Sequence, residues 1–196
     1  MSDGPFRLIV TDTSPLITLA VADALDILLR LGMPIEIPDA VYVEATRVPS
    51  AAGASRIAAW IRDHLGRVEI VPTETGIDQI RRMEEGRPIR NLGEQAAIEV
   101  LDAFLVAHPD ERAILVFEDS DIARRRPAPD ARIFIVSTGD LLAEMEGAGL
   151  IQSSDRILDE AARQGREIKR RITTISSPTE ARELRRQLRK PTNEAD

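Results

Sequence analysis

The chain of 196 residues is long enough for one full-sized domain or for one domain with an appendage. Its composition, 43% hydrophobic and 30% charged, is that of a globular protein and excludes an intrinsically disordered one. The absence of cysteine excludes disulfides, thiolate nucleophiles and cysteine-ligated metal sites. No stretch approaches the roughly 20 apolar residues that span a bilayer, and the start lacks the features of a signal peptide, so we expect a cytoplasmic protein.

The net charge of −7 is unevenly distributed along the chain. Residues 1–155 carry 15 Lys and Arg against 26 Asp and Glu, whereas residues 156–190 carry 11 basic residues against 5 acidic ones. An acidic body is therefore followed by a basic tail. The body argues against a protein that holds nucleic acid by bulk positive charge, but the tail leaves this open.

Short apolar runs typical of buried strands alternate with amphipathic helical segments. The strands are predicted at residues 6–12, 34–38, 68–72, 112–119 and 133–136. The helices are predicted at residues 14–31, 39–48, 54–65, 76–85, 93–108, from about 139, 154–172 and 178–190. Ser14 is the expected N-cap of the first helix, with Pro15 as its first helical residue and Gly32 ending it.

This alternation predicts an α/β fold, in which a central, mainly parallel sheet is flanked by helices on both faces. The run at residues 68–72 is weaker than the others and should lie towards an edge of the sheet. A single boundary is indicated, near Ser153. It separates a domain of residues 1–152 from a basic, helical C-terminal extension of residues 153–196.

Two of the strongest predicted strands end in acids. Asp12 follows the run LIVT, and Asp119 and Asp121 follow the run ILVFE. In an open parallel sheet, ligands bind beyond the carboxyl ends of the strands, where the strand order reverses. Carboxylates that crowd together there are tolerated only if a cation or a proton neutralises them.

Two further acids lie on predicted helices that could aim at the same edge. Glu94 is in the first turn of its helix beside Gly93, which permits close approach, and Glu44 interrupts an otherwise apolar stretch. Each acid alone has an ordinary explanation: Asp12 and Asp121 as helix caps or turn formers, Glu94 as a partner of the helix dipole, Glu44 as an exposed charge. We favour a clustered site because several acids coincide at one edge.

The donor chemistry of such a site favours a hard cation. With no cysteine and only two histidines, His64 and His108, we expect Mg²⁺ or Mn²⁺ and not zinc. Such an ion polarises phosphate and activates water, so phosphodiester hydrolysis follows naturally. Phosphatases of the haloacid-dehalogenase type and response-regulator receivers need a lysine near the phosphoryl group, but Lys169 and Lys190, both in the tail, are the only lysines. No Gly-rich phosphate loop or G-x-S-x-G elbow is present.

Four segments together resemble the acid motifs of the PIN-domain ribonucleases, and especially of the VapC-like toxins of toxin–antitoxin modules. They are LIVTDTSPLITLA, VYVEAT, LGEQAAIEV and LVFEDSDIAR, and IVSTGDLL echoes a later Ser/Thr-Gly strand of the family. The similarity covers about residues 6–150. It implies a Rossmann-like PIN fold that binds one or two Mg²⁺ or Mn²⁺ ions and cleaves RNA, with an antitoxin protein and a second copy of the chain as further partners.

The resemblance also implies roles for individual residues. The implied catalytic set is Asp12, Glu44, Glu94, Asp119 and Asp121. Of these, Asp12, Glu94 and Asp119 would bind the metal, Glu44 would orient a metal-bound water, and Asp121 would complete the site directly or through water.

Three further residues, Thr13, Ser14 and Arg124, would position the substrate or steady the loop after Asp12. Two features depart from the family pattern. The third acid is Glu94 where Asp is commoner, and Glu118 makes the fourth position ambiguous. We prefer Asp119 there, because Glu118 should point to the opposite side of the strand end.

The basic extension lies outside the resemblance. Its arginines could track an RNA backbone, or an apolar face could pack on the body or on a second copy. A groove for an antitoxin is a third use, which only the resemblance implies. We favour packing, because tertiary burial is what usually stabilises an amphipathic helix. The apolar residues expected to be buried are Ile157, Leu158, Ala161, Ile168 and Ile172.

The leading functional hypothesis is a metal-dependent endoribonuclease that acts as the toxin of a type II toxin–antitoxin pair. The alternative is a non-catalytic PIN-like module that binds RNA or protein through its basic C-terminal helices. A structure-specific DNA nuclease is a third hypothesis, because metal-site chemistry does not read the 2′-hydroxyl.

Overall fold

The computed structural model describes residues 4–89, 92–118, 130–167 and 178–189. The strands in these ranges are β1 (Phe6–Thr11), β2 (Ile35–Pro38), β3 (Val68–Val71), β4 (Arg112–Phe117) and β5 (Ile133–Ser137). The helices in the same ranges are α1 (Thr13–Val21), α2 (Asp26–Leu29), α3 (Asp39–Thr46), α4 (Ala54–Asp63), α5 (Glu74–Glu84), α6 (Leu92–Ala107), α7 (Thr138–Ala148), α8 (Ser154–Arg163) and α9 (Pro178–Leu188).

The five strands form one sheet in the order β3-β2-β1-β4-β5, and every neighbouring pair is parallel. This confirms the predicted Rossmann-like α/β class. The weaker strand β3 lies at an edge, as predicted. The order reverses at the centre, because the chain runs outwards from β1 to β3 and then returns to place β4 on the other side of β1. This reversal creates the crevice in which sheets of this kind bind ligands.

Side chains of the strands alternate between two apolar layers. Ile9 and Val116 belong to the layer that contains buried residues of α1, α4, α7, α8 and α9. Leu8, Val10 and Leu115 face the opposite side, where they pack with buried residues of α6. Both faces of the sheet are therefore covered, which explains the nearly continuous apolar character of β1 and β4.

The first helix differs from its prediction. The expected helix at residues 14–31 is divided into α1 and α2, with Asp23 between them at a φ of 55°. Its start is also earlier than expected: Asp12 and not Ser14 occupies the N-cap position, and helical residues begin at Thr13. The reason is that Asp12 still has extended backbone and its N–H donates to the carbonyl of Val116 at 3.1 Å, so the helix begins immediately after β1 pairing ends.

The C-terminal extension packs on the body over its described residues. Helix α8 ends at Arg163, shorter than the predicted 154–172, because Gly165 turns the chain with a φ of 82°. Leu158 and Ala161 are buried, Ile157 is partly buried, and Ile168 and Ile172 lie outside the described residues.

Helix α9 is anchored at both polar and apolar positions. Leu184 is fully buried, and the Gln187 side chain accepts from the N–H of Phe6 at 2.8 Å and donates to its carbonyl at 2.7 Å. Arg185 donates twice to the Glu144 carboxylate of α7, at 2.7 and 2.9 Å. These contacts agree with the packing interpretation of the tail. None of the helices that the structure describes is long and apolar enough to span a membrane.

Candidate functional site

The predicted acids Asp12, Glu44 and Glu94 lie at the carboxyl ends of the central strands. Asp12 is the residue that follows β1, and its neighbour in the sheet is the end of β4, where the strand order reverses. Glu44 is in the last turns of α3, and Glu94 is in the first turn of α6. Three separate elements therefore bring acidic residues to the edge of the sheet at the switch point.

The carboxylate of Asp12 is not used to cap the helix that it precedes. Although Asp12 occupies the N-cap position of α1, its side chain makes no capping hydrogen bond. The pKa of Asp12 is raised to about 6, chiefly because the carboxyl is buried and also because of the negative charges of Glu44, Glu94 and Glu118, while a backbone hydrogen bond from Thr13 opposes the shift. A half-buried carboxyl surrounded by like charges is what a cation or a proton would stabilise.

Thr13 and Glu44 form the best-defined contact of the site. The Thr13 hydroxyl donates to Glu44 Oε2 at 2.8 Å, so it holds the carboxylate of α3 beside the first residues of α1. A threonine at this position, directly after the acid that ends β1, therefore fixes a side chain 31 residues further along the chain.

Gly93 provides the space into which these oxygens point. A Cβ added at Gly93 would lie 2.9 Å from Glu44 Oε2, 3.1 Å from Thr13 Oγ1 and 3.2 Å from Asp12 Oδ1. Any side chain here would displace at least one of the three oxygens. The glycine before Glu94 thus permits this close approach, as expected from the sequence, and it leaves a small gap bordered by oxygen atoms.

Glu118 has a different environment from the other acids. Glu118 lies two residues after Val116 and is therefore on the same face of the sheet, which α1 and α7 cover. Asp12 lies two residues after Val10 and is on the opposite face, which α6 covers. Thr138 donates to Glu118 Oε1 at 3.1 Å, and Arg166 donates to Oε2 at 3.2 Å. The side chain is only 11% exposed. Both oxygens of Glu118 are therefore held by protein groups.

The pairing of Glu118 with Arg166 was not predicted from the sequence. In the predicted helix of residues 154–172, Arg166 is one of several basic positions. The feature that pointed to the true arrangement is Gly165, because a glycine inside a predicted helix often marks its end.

Three of the predicted site residues, Asp119, Asp121 and Arg124, lie outside the described residues. Ser14 is described: it is partly buried in the first turn of α1, and its carbonyl accepts from Arg166 at 3.4 Å.

The oxygen donors of this region fit a hard divalent cation. Asp12, Glu44 and Glu94 supply carboxylates only, which is the chemistry that Mg²⁺ and Mn²⁺ prefer. Within the described residues, no three Asp, Glu or His side chains are close enough together to hold an ion by themselves. A metal here would therefore need water, or ligands from beyond the described end of β4, in addition to these carboxylates.

A parallel sheet that reverses its strand order beside partly buried carboxylates defines an α/β protein with an acidic site at its switch point. A family model described as a PIN domain matches residues 8–175, and the chain belongs to the PIN-domain family. The match runs into the C-terminal extension. PIN domains are generally nucleases, and they usually use divalent metal ions. No curated protein and no solved structure matches the chain significantly.

Proposed function

We propose that this protein is a metal-dependent endoribonuclease that hydrolyses RNA phosphodiester bonds with Mg²⁺ or Mn²⁺. The observation that carries the proposal is the meeting of Asp12, Thr13 and Glu44 oxygens around the side-chain-free position of Gly93. This arrangement occurs at the switch point of a PIN domain, which is where such a sheet binds its ligands.

Each acid has a proposed part in the reaction. Asp12, Glu94 and Asp119 bind the metal, and Asp121 completes the site directly or through water. Glu44, steadied by the Thr13 hydroxyl, orients the attacking water. When bound, the divalent ion polarises the phosphate and lowers the pKa of water.

Substrate positioning is proposed for Thr13, Ser14 and Arg124. The fold supports this for the first two residues, because they form the first turn of α1 immediately beside Asp12.

The proposed biological setting is a type II toxin–antitoxin pair in the cytoplasm. The support is the resemblance of the four acid motifs to VapC-like toxins, which also suggests an antitoxin partner and a homodimer. We further propose that residues 1–152 form the catalytic domain and that residues 153–196 form an extension that packs against it, as α8 and α9 do in the described part of the extension.

The decisive experiment is a calorimetric Mn²⁺ titration of the wild type and of Asp12→Asn, with cleavage of a mixed RNA pool followed in the same buffer. We expect both binding and cleavage to be lost in Asp12→Asn. Asp63→Asn is the matched control, because it removes the same charge from an exposed side chain that pairs with Arg62 at the end of α4.

Other outcomes would contradict the proposal in distinguishable ways. A wild-type protein that neither binds Mn²⁺ nor cuts RNA, but binds RNA in a salt-sensitive manner through residues 153–196, would be a non-catalytic module. A protein that cuts matched DNA strands and leaves RNA intact would be a DNA nuclease. RNA cleavage by Asp12→Asn at the wild-type rate would show that the site is assigned to the wrong residues.

A further inference from the structure

One arginine of the C-terminal extension reaches residues that flank the acidic site. Gly165, at a φ of 82°, ends α8 and turns the chain so that Arg166 points back to α1. The guanidinium Nε donates to Thr18 Oγ1 at 3.1 Å, and Nη2 donates to Glu118 Oε2 at 3.2 Å and to the Ser14 carbonyl at 3.4 Å. Arg166 therefore bridges the end of β4 and the first turns of α1.

The guanidinium is held in a fixed orientation by these contacts. Its anchor, Glu118, is itself fixed, since Thr138 at the start of α7 donates to the other carboxylate oxygen. Thr138 thus holds one oxygen of Glu118, and the other oxygen of Glu118 holds Arg166. An arginine whose rotamer is already restricted loses little conformational entropy when it binds a further partner.

Arg166 keeps capacity for one more partner. A third of its side chain is exposed, and its Nη1 group makes no hydrogen bond to any described residue. The guanidinium is the side-chain group best suited to phosphate, because its planar fork of N–H donors matches phosphate oxygens.

The surroundings explain why a fixed positive charge is needed. Asp12 and Glu44 place two carboxylates beside the same gap at Gly93. A polyanionic strand that approaches such a site is repelled, and Arg166 holds a positive charge next to it, bonded to Glu118 after β4 and to the Ser14 carbonyl two residues from Asp12.

We propose that Arg166 contacts a backbone phosphate of the RNA substrate, and that Glu118 and Thr138 hold its guanidinium in place for this purpose. This inference rests on the proposed ribonuclease function. It assigns Glu118 to substrate binding, as the anchor of a phosphate-binding arginine.

The test compares Arg166→Gln with Arg163→Gln. Both variants remove one positive charge from the same segment, but Arg163 is 67% exposed and its ion pair is with Glu160 of its own helix. Binding of a short single-stranded RNA is measured by fluorescence anisotropy in an Asp12→Asn background, which prevents cleavage. Mn²⁺ affinity and steady-state cleavage are measured in the wild-type background.

We expect Arg166→Gln to weaken RNA binding about tenfold, as loss of a charge-assisted hydrogen bond does. The slope of log K against log salt should fall by about 0.7, the value for one phosphate contact on a single strand. The KM should rise by the same factor as the Kd, with Mn²⁺ affinity changed less than about twofold, because Arg166 touches substrate and not the metal. Arg163→Gln should change RNA affinity less than about twofold.

Thr138→Val separates the anchor from the charge. It removes the 3.1 Å hydrogen bond to Glu118 Oε1 and leaves every charge in place, so RNA binding should weaken about threefold with an unchanged salt slope. If Arg166→Gln fails to fold, Arg166→Lys replaces it, because lysine keeps the charge but lacks the planar fork of donors. We expect Arg166→Lys to bind RNA about threefold more weakly than the wild type. Binding equal to that of the wild type would overturn the inference.

Equal effects of Arg166→Gln and Arg163→Gln on RNA binding would overturn the inference, and so would a loss of Mn²⁺ affinity as large as the loss of RNA affinity. Neither result bears on whether the wild type is a nuclease. A wild type that fails to bind Mn²⁺ and to cut RNA would instead defeat the proposed function.

Discussion

Replacing Asp12 with asparagine should stabilise the metal-free protein, and the gain should grow with pH. The pKa of Asp12 is raised from the usual 3.8 to about 6, first by burial and then by nearby carboxylates. A carboxyl whose pKa is higher in the folded state contributes stability that is complete below about pH 3.8 and is lost as the pH rises through about 6. At about 1.36 kcal/mol per pKa unit, ionisation of Asp12 lowers the free energy of unfolding of the wild type by about 3 kcal/mol in full. Because asparagine never ionises, its advantage over the wild type should rise from about 1.5 kcal/mol at pH 5 to about 3 kcal/mol at pH 8.

Urea unfolding in EDTA between pH 5 and pH 8 measures this advantage. The fluorescence of Trp60 reports the transition, because it is the only tryptophan and is 7% exposed. In thermal melts at pH 8, the gain corresponds to about 6–12 °C for a chain of this length. The control Asp63→Asn, in which an exposed carboxylate is lost, should change stability by less than about 0.5 kcal/mol at every pH. Saturating Mn²⁺ should reverse the order of Asp12→Asn and the wild type, since an ion stabilises only the protein that binds it. An asparagine variant that is less stable at pH 8 without metal, or an advantage that stays constant with pH, would refute the reasoning.

Three further substitutions test the site and the extension. Gly93→Ala should weaken Mn²⁺ binding in calorimetry by at least about tenfold, because the new Cβ would lie 2.9 Å from Glu44 Oε2. The control is Gly147→Ala, in which the new Cβ would lie 3.4 Å from the nearest atom, in the side chain of Arg185, and Mn²⁺ binding should be unchanged. Thr13→Val, which removes the 2.8 Å hydrogen bond to Glu44, should slow RNA cleavage about tenfold, and an unchanged rate would show that this bond does not position the carboxylate. Leu184→Ala, at a fully buried position of α9, should lower the opening free energy of α9 in hydrogen exchange by about 2–5 kcal/mol. Equal loss of protection across the central sheet would mean that α9 opens only with the whole body.

The strands were the most predictable part of the fold. In β1 and β4, apolar residues run almost without interruption because both faces of the sheet are covered. The position of Asp12 follows directly, since a residue next to a strand end has nowhere else to lie. The separation of Glu118 from the α6 face also follows from the two-residue period of a strand.

Helix ends were less predictable, because several residues in one window satisfied the same rule. Ser14 and Pro15 match an N-cap and a first helical residue, yet Asp12 takes the N-cap position because its N–H is already paired with β4. The break near Asp23 needed a left-handed backbone at a non-glycine residue, which local preference disfavours.

By itself, the sequence determined the α/β class, the position of Asp12 directly after β1 and the close approach that Gly93 permits. Only the tertiary structure decided that β4 lies beside β1, that Thr13 meets Glu44, and that Arg166 meets Thr18 across 148 residues of chain. The physical reason is the range of the forces involved. Periodicity and capping act over a few residues and leave their mark in a short window, whereas long-range contacts are selected by which apolar faces pack together, and no local pattern records that choice.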